Sequence, residues 1–428
     1  VTKIDNYQVS VDLSSVNSLK IETGSDSDTI TFSSGWSTVA SVLDVDIDTG
    51  EDDDTVIFES DFNARGGLLS ISTGAGKDKI KVSSSLYTQG GEIDFVADTI
   101  VVDAGQTLST RNILDGGDHS TSGSIGDSGR IRLTGQSITI GDSIGSAAQL
   151  LAQVESGSSY NAGNIKIKVS ETEEAATIFD GIEQSRADLT LSNTVLKGKD
   201  IELSASADYS ETFDLDDEMV ENTVGVLDNF TLFGGGAVSK STAKITVDAQ
   251  TKIVGSAFEA SAIATTNSTI TPLIAWLAGG AYGQADSTAI VSFAGRVDAT
   301  GDVSISTLTD STVDVQVSTS KWGTSNALTN SAFAVAVSEL NSESTAKVTD
   351  NAVIQSGGNV SITADTIDRN MTVARSNSGS DGTISAAVAV SLEDGETNAL
   401  VDGNVTAVGD VTGEANQVNE ETESILTG

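Results

Sequence analysis

The chain has no cysteine in 428 residues. Disulfides and thiolate metal centres are therefore excluded. Among secreted proteins, a long cysteine-free chain suits a bacterial surface protein better than a small stapled domain. One proline stands against 42 glycines, which excludes a proline-rich linker and collagen. His119 is the single histidine, which leaves almost no room for a Ser-His-Asp triad or a histidine zinc site. Aromatic residues make up 4%, too few for a bulky globular core. Trp36, Trp276 and Trp322 lie far apart in sequence and read as packing or loop caps rather than a sugar platform. Bases are scarce: 22 Lys and Arg face 62 Asp and Glu, for a net charge of −40. Nucleic acid is excluded as a partner, because phosphate contacts need Lys and Arg. The same charge disfavours an anionic membrane surface. Long apolar runs are missing too. The longest, Leu273 to Tyr282, contains two glycines and is too short to cross a bilayer, so no membrane insertion is expected. An initiating methionine and a signal-peptide pattern are also lacking, and the chain reads as a mature or excised piece of a longer protein.

What is present is strand-forming. Apolar residues reach 38%, enough for a continuous narrow core, and Thr, Val and Ile favour strands. A Gly-x-Ile or Gly-x-Val step opens strand after strand: Gly91-Glu92-Ile93, Gly129-Arg130-Ile131, Gly163-Asn164-Ile165, Gly301-Asp302-Val303, Gly358-Asn359-Val360 and Gly409-Asp410-Val411. A strand-turn unit repeated this often predicts a solenoid, in which each repeat covers the hydrophobic edge of the last.

Three early segments align. They begin at Thr23-Gly24-Ser25-Asp26, Thr49-Gly50-Glu51-Asp52 and Thr73-Gly74-Ala75-Gly76, with steps of 26 and 24 residues. Alternating strands flank each turn, so one face points in and one out. Steps of this size fit one coil of a β-helix. From Ile93 through Ile131, Ile165 and Ile201 the steps lengthen to 38, 34 and 36, which predicts longer loops. Ser170 and Glu173 have the capping-box spacing of a short helix. In the second half, Ser241-Thr242-Ala243, Ser287-Thr288-Ala289, Ser344-Thr345-Ala346 and Thr397-Asn398-Ala399 repeat at 46, 57 and 53 residues, read as about two coils each. Small-residue strands such as Phe333-Ala334-Val335-Ala336-Val337 and Ala386-Ala387-Val388-Ala389-Val390 recur within it. They fit either a narrow core or a lateral contact with another chain. The expected organisation is therefore 1–90 (coils with Gly/Asp turns), 91–207 (coils with longer loops), 208–229 (an acidic loop or short helix), 230–412 (double-coil repeats) and 413–428 (an acidic tail or linker).

Stacked turns would place Asp28, Asp54 and Asp78 in a column about 4.8 Å apart, with Asp26 and Asp52 as a second acidic position. Like charges at that spacing repel, so the column either faces water and salt or holds a cation. Ca²⁺ suits it, as a hard ion that takes carboxylate and carbonyl oxygens in flexible geometry. The glycines do not form a phosphate cradle, since no Gly-rich loop leads into Lys-Ser/Thr. They read as turn residues with positive φ. Carboxylate pairs such as Asp216-Asp217, or Asp52 with Asp54, could serve a glycosidase, but no groove of bases and aromatics accompanies them.

The stretch Gly74-Ala75-Gly76-Lys77-Asp78-Lys79-Ile80 resembles the calcium-binding nonapeptide of RTX proteins. The likeness covers residues 19–82. Asp26 and Asp52 replace the second glycine, and the copies lie a full coil apart rather than back to back. Ser128-Gly129-Arg130-Ile131-Arg132-Leu133 and Asn161-Ala162-Gly163-Asn164-Ile165-Lys166-Ile167 resemble the repeats of filamentous-haemagglutinin-like exoproteins. The second half is similar to the Ala/Val/Gly repeats of giant bacterial surface proteins. These resemblances imply a right-handed parallel β-helix, secretion and a cell-surface role.

The expectation is an all-β, elongated parallel β-helix of roughly 18 coils, on the order of 90 Å long. It would serve as a calcium-stabilised stalk, adhesin body or filament subunit outside the cell. Self-association, end to end or laterally into fibres, is the expected partnership. Two alternatives stand beside it. One is a polysaccharide-active β-helix lyase or hydrolase. The other is a carbohydrate-binding adhesive module that meets a glycan or neighbouring-cell surface through loops 111–129 and 208–229.

Overall fold

A computed structural model describes residues 16–33, 42–113, 125–154, 158–175, 184–213, 232–275, 278–320, 331–377 and 384–427. The described chain winds into a parallel β-helix with three sheets of 11, 10 and 9 strands. Sheet A runs from Ser18–Ser25 to Val411–Thr427, sheet B from Thr29–Phe32 to Ile384–Val401, and sheet C from Phe62–Asn63 to Asn404–Ala407. Each coil adds one strand to A, then B, then C.

Alternation fixes which residues face in. In Asp44–Glu51, Val45, Ile47 and Thr49 are buried, while Asp44, Asp46 and Asp48 are exposed. Parallel register then piles like on like: Ile21, Ile47, Ile71, Phe95, Leu133, Ile167 and Leu203 form one column. Each fully buried aliphatic side chain contributes about 1.5–3 kcal/mol. Phe58 lies between Phe32, with ring centroids 4.6 Å apart, and Phe95, at 6.1 Å.

The Gly-x-Ile and Gly-x-Val steps open sheet A strands, as the register shows: Ile93, Ile131 and Ile165 stack, and so do Val303, Val360 and Val411. Here the glycine is needed for close approach rather than for positive φ. A Cβ on Gly129 would lie 2.1 Å from the Gly91 carbonyl oxygen, and one on Gly163 would lie 1.8 Å from that of Gly129.

Coil length is where the structure departs furthest from expectation. Stacked partners are 24 or 26 residues apart in the first coils and 57 apart later. Sheet C grows only from two residues in Phe62–Asn63 to four, as in Lys252–Gly255 and Asn404–Ala407. The added residues go into sheets A and B. Leu69–Ser72 and Lys79–Val82 have four residues each, whereas Val303–Ser320 and Ser331–Val348 have 18 each. The long second-half repeat is therefore one coil, not two: Ser241 stacks on Ser287, Ser287 on Ser342, and Ala346 on Ala399. The stack has 11 tiers in sheet A rather than 18 coils. Its axial length is about 50 Å rather than 90 Å at the strand spacing.

The lengthened A and B strands continue past the corner where they meet and form a flat two-sheet fin. Two hydrophobic cores result. One runs up the triangular body from Phe32 to Ala364. The second lies in the fin, around Ile270, Val313, Val315, Ala336, Leu340 and Ala374. A buried hydroxyl belt separates them. Ser344 Oγ meets Thr307 Oγ1 at 2.9 Å, Thr397 Oγ1 meets Thr366 Oγ1 at 2.7 Å, and Ser287 pairs with Ser311. The small-residue strands turn Ala332, Ala334 and Ala336 inward, while Phe333, Val335, Val388, Val390 and Leu392 are exposed on the outer face of sheet B.

Three further expectations are corrected. No helix occurs among the described residues. Ser170 to Ala175, expected to cap a short helix, ends the strand Ile165–Ala175 and is held in register by Ser206 to Glu211. No boundary falls at 207/208: the strand Asp200–Phe213 runs through it, with Ala205, Ala207 and Tyr209 buried in alternation. The tail 413–428 is not a linker; the strand Val411–Thr427 pairs along its length with Val360–Asn377. His119, the three tryptophans, Asp216-Asp217, residues 114–124 of the first expected glycan loop and 214–229 of the second lie outside the described residues.

Candidate functional site: an aspartate ladder at the A–B corner

The sequence-predicted turns meet at the corner between sheets A and B in the first coils. Gly24 and Gly50 have φ of 103° and Gly74 of 87°, the region where glycine carries no Cβ penalty. Two residues on, Asp26 (φ 102°) and Asp52 (φ 75°) hold similar geometry, which Asp tolerates better than most side chains. Gly76 takes that place in the third turn.

The five predicted site residues divide into two rows. Asp28, Asp54 and Asp78 form the inner row. The Asp28 amide donates to Asp54 Oδ1 at 2.7 Å, and the Asp54 amide donates to Asp78 Oδ1 at 2.8 Å. The row has a fourth member, Asp98, whose Oδ2 accepts the Asp78 amide at 2.7 Å. Sequence reasoning missed Asp98, although Asp98-Thr99-Ile100 repeats Asp28-Thr29-Ile30. The carboxylates of Asp54, Asp78 and Asp98 thus each satisfy a backbone donor of the coil before. A threonine ladder runs beside it: Thr23 Oγ1 donates to the Thr49 carbonyl at 2.8 Å, and Thr49 Oγ1 to that of Thr73 at 2.9 Å. The inner row stops where Gln136 follows in the next coil.

Asp26 and Asp52 form an exposed outer row, linked by the Asp26 amide donating to Asp52 Oδ2 at 3.1 Å. Asp52 is exposed and Asp54 is 1% exposed, so these two do not face one substrate cleft as a glycosidase pair would.

The two central members of the inner row each have one oxygen to spare. Oδ2 of Asp54 and Oδ2 of Asp78 are buried without a hydrogen-bond partner. Burial pushes the Asp54 carboxyl above its ordinary range, the charges of Asp78 and Asp28 push the same way, and the hydrogen bond from the Asp28 amide opposes them. The donor set is all oxygen, the kind a hard cation takes. It is a column rather than a cage, since no three carboxylates converge among the described residues.

An open hollow of about 420 Å³ lies at another corner, lined by Gln89, Asn112, Asp127 and Tyr160 among others. Asp127 is held below the usual carboxylate range by hydrogen bonds from the Asn161 amide and side chain. The hollow includes Asn112, Gly126 and Asp127 of loop 111–129. No protein-family model matches the chain, and neither a curated protein nor a solved structure matches it.

Proposed function

We propose that this chain is a structural segment of an extracellular bacterial surface protein, a stalk, adhesin body or filament subunit, with calcium bound along the Asp28–Asp98 row. The observation that carries the reading is the unbroken transfer of contacts from coil to coil. One core runs along the stack from Phe32 to Ala364, and a carboxylate-to-amide ladder ties the first four coils, so that neighbouring tiers depend on one another, as a solenoid stalk requires. The orphaned Oδ2 atoms of Asp54 and Asp78 support the calcium part, because a buried unpaired carboxylate oxygen is costly unless something neutralises it. A cysteine-free chain of net charge −40 fits an exposed, salty setting. The bare apolar strip from Phe333 to Leu392 supports lateral self-association.

Calorimetry with Ca²⁺ and melting with and without EGTA test the calcium part, with binding and a raised Tm expected. Small-angle scattering tests the segment, with a concentration-independent fold and lateral association at high concentration expected. Depolymerisation of a uronate polymer by the purified chain would overturn the structural reading.

A second reading has one observation of its own. The hollow at Gln89, Asn112, Asp127 and Tyr160 offers an aromatic ring beside planar hydrogen-bonding groups, the combination that holds a sugar. Retention on a glycan array, lost in Tyr160→Ala, would establish it.

A further inference from the structure

The hydroxyl belt changes character toward the C-terminal coils. Successive inward positions of sheet A read Tyr209, Thr266, Ser311 and then Asp368. Three neutral residues give way to an acid that is 1% exposed. Asp368 Oδ2 accepts from Ser342 Oγ at 3.0 Å and from Gln417 Nε2 at 3.4 Å. Oδ1 is buried without a partner. Across the belt a second acid, Glu393, occupies an inward position of Ile384–Val401, stacked on the fully buried Leu340. The facing sheet B column reads Ser241, Ser287, Ser342 and then Gly395. Glycine there admits the Gln417 amide beside the Asp368 carboxylate: a Cβ would lie 2.3 Å from Gln417 Nε2 and 3.2 Å from Asp368 Oδ2. The neighbouring base does not help, because Arg369 turns outward to Asp310 and to Glu420, the latter at 2.7 Å.

We propose that Asp368 and Glu393 form an internal site for a hard divalent cation, calcium in class, separate from the corner ladder. A buried carboxylate with an idle oxygen must be neutralised. Asp368, with its idle Oδ1, anchors the site, and Glu393 brings a second carboxylate from the facing sheet. The surrounding groups are hydroxyl, amide and carboxylate, with Ser342, Asn370 and Gln417 beside the acids. Such irregular oxygen sets suit Ca²⁺ better than the stricter octahedral Mg²⁺. Burial, reinforced by the charge of Glu393, pushes Asp368 up to about 6, against hydrogen bonds from Ser342 and Gln417.

The site does not depend on the corner reading, and the test separates them. Ca²⁺ is titrated calorimetrically into the full chain and three variants: Asp54→Asn/Asp78→Asn, Asp368→Asn and Glu393→Gln. The corner variant is expected to retain one equivalent of binding and a Ca²⁺-dependent rise in Tm. Asp368→Asn and Glu393→Gln are each expected to remove that equivalent. Should the corner variant lose all binding while both internal variants keep the wild-type stoichiometry, the internal site is overturned and the corner site stands. Should Asp368→Asn fold, melt higher in EGTA and lose no calcium heat, Asp368 is a protonated acid and the proposal fails. If Asp368→Asn loses its strand circular dichroism, Glu393→Gln decides, since Glu393 is only half-buried and lies on the last strand of sheet B.

Discussion

At the scale of single residues, the corner aspartates do two separable things, and asparagine separates them. Asn keeps an acceptor for the amide of the coil before but removes the charge. Asp54→Ala leaves the Asp28 amide without its acceptor and should cost about 1–3 kcal/mol of stability. Asp54→Asn in chelator should cost little or raise Tm, because burial disfavours the ionised form. Thermal melts of both variants in EGTA check the difference. Tyr282 gives a pH signature. Burial and the hydrogen bond to Glu339 at 2.8 Å push its phenol from 10.0 to about 12. The folded state then binds the proton more tightly than the unfolded chain, so this contribution is complete below pH 10 and is lost as pH rises toward 12. Tyr282→Phe should flatten that part of the wild-type Tm profile between those pH values.

At the scale of elements, the phenylalanine stack and the glycine corners hold the narrow coils. Phe58→Ala removes a fully buried ring from between Phe32 and Phe95 and should cost about 3–5 kcal/mol in chemical denaturation. The turns and strand openings were legible in the sequence because each has a local cause. Gly24 and Gly50 need positive φ, Gly129 and Gly163 need space, and Asp54 needs a particular amide. The fin was not legible. A period of two says which way a side chain points but not how many residues a strand has, so a 57-residue coil looks like two shorter ones. The belt was hidden for a related reason. Ser241, Thr266 and Ser311 alternate with other small polar residues, and hydroxyls that bond each other across two sheets look the same in sequence as hydroxyls that face water. Asp368 and Glu393 were passed over because neither belongs to a turn motif.

At the scale of the whole molecule, an axial length of about 50 Å is matched by long strands whose 18 residues span about 60 Å. Scattering should therefore report a wedge-like slab, and a slender 90 Å rod would contradict the stacking register. The exposed strip Phe333, Val335, Val388, Val390 and Leu392 should make the slab concentration-dependent. Val388→Lys with Val390→Lys should lower its sedimentation coefficient at high concentration to that of the isolated chain, without shifting Tm. The widening also gives the stack a front and a back. Setting two copies nose to tail would lay a strand of eight residues against one of 17, leaving about half of the broad rim with no ladder to join. A repeating string of such wedges is thus mismatched at every joint, and the shape favours neighbours set side by side.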